Sequence, residues 1–146
     1  MKRLARVGWT GALSACILSG AAAHTTGQSL AALSPRSTLS GVYTAAQAAQ
    51  GQALYAMRCR SCHTPGGHAS TFQERWSGHP LSEPFQFISE NMPKDSPGSL
   101  SPEETTAALA YFLQLMGMPP GNDSLSADVQ VLDSIRIDTV TTRRNQ

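Results

Sequence analysis

Cys59-Arg60-Ser61-Cys62-His63 is the stretch on which the reading of this chain turns. Two thiols separated by two residues can each close a thioether onto a vinyl group of one porphyrin, and a histidine directly after the second brings an imidazole to the iron. The spacing is that of a covalent attachment site for one haem c, with Cys59 and Cys62 as attachment points and His63 as an axial ligand. Three other chemistries use similar residues. A structural zinc site takes four protein ligands, and the remaining cysteine, Cys16, sits in the N-terminal leader. A redox dithiol is expected after a strand in a βαβ pattern, which this sequence lacks. A Cys59–Cys62 disulfide in a haem-free domain stays open, and a haem stain that survives denaturing electrophoresis would exclude it.

The leader carries Lys2, Arg3 and Arg6, then an apolar run from Val7 to Leu18, then small residues ending in Ala21-Ala22-Ala23. That order predicts a secretory signal over residues 1–23, cleaved before His24. Leu13-Ser14-Ala15-Cys16 also resembles a bacterial lipobox, which would lipidate Cys16 and tether the protein to a membrane face; an uncleaved leader would act as an anchor. Export places Cys59 and Cys62 in an oxidising compartment, expected here to be the periplasm. The 146-residue chain has a formal charge of +1, and loss of the three leader cations leaves the mature form at about −2. Nucleic acid is therefore not an expected partner. The length fits one domain with a modest core, to which a buried cofactor adds apolar surface.

Residues 24–42 are rich in Ser, Thr, Ala, Gly and Gln and read as a flexible lead. The folded domain is expected over residues 43–121, followed by a partly disordered C-terminal arm over 122–146 that combines a short helix with an extended segment. Thr44 to Met57 reads as a helix with Thr44 at its N-cap. On it Ala48, Gly51 and Tyr55 share a face; a mid-helix glycine costs roughly 1 kcal/mol against alanine, so Gly51 marks a close backbone approach. Thr64 to Pro80 reads as loop, with one short helical turn presenting Phe72 and Trp76. Ser82 to Asn91 reads as a second helix, with Ser82 as N-cap and Met92-Pro93 as its stop. Ser101-Pro102-Glu103-Glu104 is a capping box with proline at the first helical position. It opens a helix that reaches Met116, stops at Gly117 and is apolar on nearly every side from Ala107 to Leu113.

In this order, the motifs resemble class I bacterial cytochrome c domains over Gly51 to Gly121. Gly51-Gln52-Ala53-Leu54-Tyr55 resembles the family's N-terminal helix, whose glycine and aromatic meet the C-terminal helix. Met92-Pro93 followed by Pro97-Gly98-Ser99-Leu100-Ser101 resembles the segment that supplies the sixth haem ligand. Leu109-Ala110-Tyr111-Phe112-Leu113 is similar to the C-terminal helix that crosses the first. The short interval from His63 to Met92 is closer to cytochrome domains that accompany quinoprotein dehydrogenases than to the mitochondrial type, and implies an exposed haem edge.

The resemblance implies an all-α fold, the small cytochrome c fold, with crossing terminal helices and short helices and loops wrapped round one covalent haem. It implies a periplasmic one-electron carrier, not an enzyme, with His63 and Met92 as the axial iron ligands and redox proteins as partners, a quinoprotein dehydrogenase or a terminal oxidase among them. Two readings compete: an electron-transfer subunit of a dehydrogenase or oxidase complex, and a haem enzyme or gas sensor with an exchangeable distal ligand. His68, His79, Met116 and Met118 compete with Met92; the histidines read as solvated loop residues and the two methionines as packing. Trp76 or Arg75 is a candidate N–H donor to a haem propionate, with a plain core role the equal reading of Trp76. Arg58, Arg60 and Lys94 flank the proposed ligands and read as scattered solvated charges.

Overall fold

The computed structural model describes residues 36–139. The expected signal, the lipobox cysteine and the first part of the lead lie outside the described residues, as does the end of the tail.

The chain enters through a two-residue strand β1 (Arg36–Ser37) and a 3-10 turn (Thr38–Ser40). Helix α1 (Ala45–Arg58) starts where the Thr44 hydroxyl accepts the Gln47 N–H at 3.1 Å, satisfying one of the free amide donors of the first turn. Helix α2 (Pro65–Trp76) occupies most of the stretch read as loop. Pro65 stands in its first turn, where a missing amide proton is harmless, and Phe72 buries against Phe112, centroids 5.5 Å apart. That packing outweighs the low helix propensity of Gly66 and Gly67.

Helix α3 (Ser82–Asn91) has the expected span, but Leu81, not Ser82, is the cap residue, and no side chain caps it. The Ser82 hydroxyl donates instead to Asp133 Oδ1 at 2.7 Å. Helix α4 (Pro102–Leu115) carries both halves of the capping box, with Ser101 Oγ accepting the Glu104 N–H at 3.1 Å and Glu104 Oε2 accepting the Ser101 N–H at 2.8 Å. It ends at Gly117, whose left-handed φ of +79° turns the chain so that the next N–H, of Met118, reaches back to Leu113 O at 3.0 Å. Every residue from Thr105 to Leu113 is buried.

The most extensive contact in the molecule is α1 on α4. Gly51 makes it possible: a Cβ there would lie 1.9 Å from the Ala107 carbonyl oxygen and 2.9 Å from Tyr111 Cβ. Tyr55, one turn on, packs on Tyr111 and edge-on to Phe112.

After α4 the chain wraps back over the domain through a short helix α5 (Val129–Asp133) and a strand β2 (Ile135–Arg136). β2 pairs in parallel with β1, Arg36 opposite Ile135. The same segment takes the Leu81 N–H on Ile135 O at 2.9 Å and the Gly78 N–H on Ile137 O at 2.8 Å. Leu125, Leu132, Ile135 and Ile137 are buried in the same core as α1 and α4. At the lead end, Thr38, Val42 and Tyr43 are buried as well. The Tyr43 hydroxyl donates to Met118 O at 2.7 Å, and the Gln47 carboxamide pairs with both backbone groups of Leu125. Residues 36–42, read from the sequence as flexible lead, and 122–139, read as a partly disordered arm, are thus packed parts of the domain. Among the described residues, no helix is long and apolar enough to cross a membrane.

Candidate cofactor site

The last turn of α1 runs directly into the C-x-x-C-H stretch. The N–H of Cys62 and the N–H of His63 both donate to Cys59 O, at 3.1 and 3.0 Å. A short spacing in sequence becomes one tight turn, which presents both thiols and the imidazole at the same wall of a cavity of about 510 Å³. That volume is within the ~300–1,000 Å³ usual for cofactor sites. Cys59 is half-buried and Cys62 exposed, and the two sulfurs are not joined to each other. Burial, against the pull of nearby Arg58, pushes the Cys59 thiol up from its ordinary range.

Met92 reaches the same cavity from another element, as the residue that closes α3 with its N–H on Ile88 O. The loop beyond it is tied to the end of α1 by Arg58, whose guanidinium donates to Ser99 Oγ at 2.7 Å. Phe72, Ile88, Leu100 and Phe112, all buried, supply the apolar wall. Trp76, half-buried at the end of α2, lines the cavity too. Cys59, Cys62, His63, Trp76 and Met92 are thereby brought together. Met116 and Met118 are not: both are buried in the core, with Thr38 Oγ1 3.5 Å from the Met118 sulfur.

Two side chains have a different standing in the fold from the one their sequence context suggests. His68 is not a solvated loop residue; it sits on α2, half-buried, with its ring stacked on that of His63, centroids 4.4 Å apart and planes 26° apart. A ring stacked on His63 shares its side of the cavity, which removes His68 from the candidates for the opposite axial position. His79 is in a turn at the surface and pairs with Glu83 at 2.8 Å. The second is Arg75, whose guanidinium carbon lies 4.9 Å from the centroid of Trp76 and 4.6 Å from that of Phe87 while the residue lines the cavity. Contacts of a guanidinium with ring faces are attractive and restrain the side chain, and they do not use up its N–H donors. The signal for His68 is the proline-started helix at Pro65, which the two glycines after it disguise.

The residues fit a covalently held haem. Two thiols and an imidazole stand on one turn, a thioether is placed at the same cavity, the walls are largely apolar and aromatic, and the Arg75 side chain lines them. His68 Nδ1, buried without a hydrogen-bond partner among the described residues, borders the same space.

Residues 46–112 match the family model described as cytochrome C oxidase, cbb3-type, subunit III. No curated protein and no solved structure matches the chain. The matched residues contain the Cys59–His63 turn, Met92 and most of the α1–α4 crossing. Residues 46–112 are accordingly a class I c-type cytochrome domain, an all-α module for covalently bound haem c and electron transfer.

Proposed function

We propose that this protein is an exported one-electron carrier, working in the periplasm, with a single haem c attached through Cys59 and Cys62 and ligated by His63 and Met92. The observation that carries this reading is the cavity that gathers these four residues from two separate segments of chain. Bound there, the haem supplies a ferric–ferrous couple.

The residues serve that couple in distinct ways. His63 offers a nitrogen donor and Met92 a neutral thioether, a pair that raises the potential relative to harder ligands. With His63 and Met92 both offered by the protein, a haem held there would pass single electrons with little movement of its ligands, and binding of substrate at the metal would be disfavoured. Phe72, Ile88 and Phe112 keep water from the inner face of the site. Arg75, restrained by Trp76 and Phe87, and the Trp76 indole N–H, which a cation over the ring face leaves free, are both donors available to a propionate.

Redox proteins are the partners of such a domain. The matched family model is named for a subunit of an oxidase, which favours as second reading an electron-transfer subunit of a larger complex, with a quinoprotein dehydrogenase as the other candidate assembly. Lipidation of Cys16 would add a membrane tether to either arrangement.

The test is the visible spectrum of the protein produced in a haem-attaching, exporting host, beside Met92→Ala. Sharp reduced c-type bands in both, with the far-red thioether-to-iron band present only in the parent, are expected. A high-spin parent, or a far-red band that survives the substitution, would overturn the Met92 assignment and move ligand-binding chemistry ahead of simple carriage. Copurification from native membranes and soluble fractions separates the free carrier from the complex subunit.

A further inference from the structure

An imidazole bound to a metal through one nitrogen can turn about that bond, and its plane is fixed by what the protein places against it. The plane matters: it sets how the unpaired electron of a low-spin ferric iron is spread over the porphyrin. The ring against His63 is that of His68, 4.4 Å away and 26° from parallel. His68 is itself held. Its backbone belongs to α2, with its N–H on Thr64 O at 2.9 Å. Its ring packs on Phe112 at 4.4 Å and on Tyr55 at 5.7 Å. Phe112 is buried in the middle of α4 and fixed by Phe72 and Tyr55. An unbroken column of rings therefore runs from the buried C-terminal helix to the proposed iron ligand.

The column is compatible with ligation. An axial imidazole stands edge-on to the metal and leaves its two faces to the protein, and His68 takes one of them. Its Nδ1 is buried without a hydrogen-bond partner among the described residues. The contact with His63 thus does not depend on a hydrogen bond at that atom.

On the reading that His63 ligates a haem iron, we propose that His68 is the positioning residue of that ligand, a flat ring clamped between His63 and Phe112 that sets the rotation of the axial imidazole. Its role is to transmit the rigidity of the α1–α4 core to the iron, so that the ligand keeps one orientation in both oxidation states.

The experiment is proton NMR of the ferric holoprotein, in which the order and spread of the four haem-methyl shifts report the planes of the axial ligands. Wild type is compared with His68→Phe, which keeps a flat ring, and with His68→Leu and His68→Ala, which do not; two such variants are made so that one folded holoprotein suffices. The expected result is a wild-type methyl order in His68→Phe, and a reordered or narrowed pattern in the Leu or Ala variant, with the far-red band retained throughout. A wild-type pattern in the variants without a ring overturns the proposal. So does a change in His68→Phe as large as theirs, because the nitrogen and not the ring would then be responsible. Parent protein without covalent haem brings down the functional reading as well, whereas haem-loaded protein with an insensitive pattern brings down this proposal alone.

Discussion

The α1–α4 crossing and the clasp formed by β1, β2 and α5 bury side chains in one core, yet they are specified in opposite ways. The crossing rests on local signals that repeat within a few residues: a cap at Thr44, a glycine at 51, an aromatic at 55, a capping box at Ser101. The clasp rests on partners far apart in sequence, Arg36 beside Ile135 and Tyr43 against Met118. The first is therefore specified locally, whereas the second stabilises by closure, bringing both flanks of the matched region back onto it.

The sharpest break of this contrast is Gly51→Val. Its Cβ would meet a backbone carbonyl, which cannot step aside as a flexible side chain would. The cost should exceed the ~1–3 kcal/mol of ordinary overpacking, with cooperative thermal unfolding and haem attachment both lost. Well-folded Gly51→Val holoprotein would refute the close crossing. Leu132→Ala addresses the clasp: a fully buried leucine truncated to alanine costs about 2–5 kcal/mol. Since Leu132 does not line the cavity, the visible spectrum should be unchanged while the unfolding midpoint falls. A shifted far-red band in that variant would mean that the clasp shapes the haem site after all.

Two tyrosines sharpen the comparison further. Tyr43 donates to Met118 O, whereas Tyr55 Oη is buried with no hydrogen-bond partner among the described residues. Tyr43→Phe should cost roughly 1–3 kcal/mol by leaving a buried carbonyl unpaired, and Tyr55→Phe should cost little or stabilise. Equal losses in urea unfolding would show that the Tyr55 hydroxyl has a partner, such as an ordered water. The smallest effect is alkaline. Burial raises the Tyr43 phenol above its ordinary 10, so the folded chain keeps a proton that the unfolded chain gives up. Its contribution is full below about pH 10 and is lost as pH rises through the raised folded value. Tyr43→Phe should flatten that part of the stability profile.

Much of the site is legible in the amino-acid sequence. Cys59, Cys62 and His63 are picked out as candidates by their spacing alone, and the fold brings all three to one cavity. Met92 is legible only by resemblance, since one methionine before a proline carries no periodic signal. α2 escapes a local reading because Pro65-Gly66-Gly67 looks like a breaker when propensity is summed over neighbours, while the decisive term is the burial of Phe72 on α4. His68 is misplaced with it. A histidine assigned to a loop has no ring neighbours to weigh.

The sequence by itself determined the Cys59–His63 turn, the caps and stop of α4, and the glycine that admits one helix to another, because each depends on backbone geometry and on contacts spanning a few residues. Only the tertiary structure decided that the flanks close on each other, that α2 is helical, and that His68 lies against His63. Those outcomes depend on which apolar side chains find one another across the fold, and such a choice is made by packing, not by neighbours in the chain.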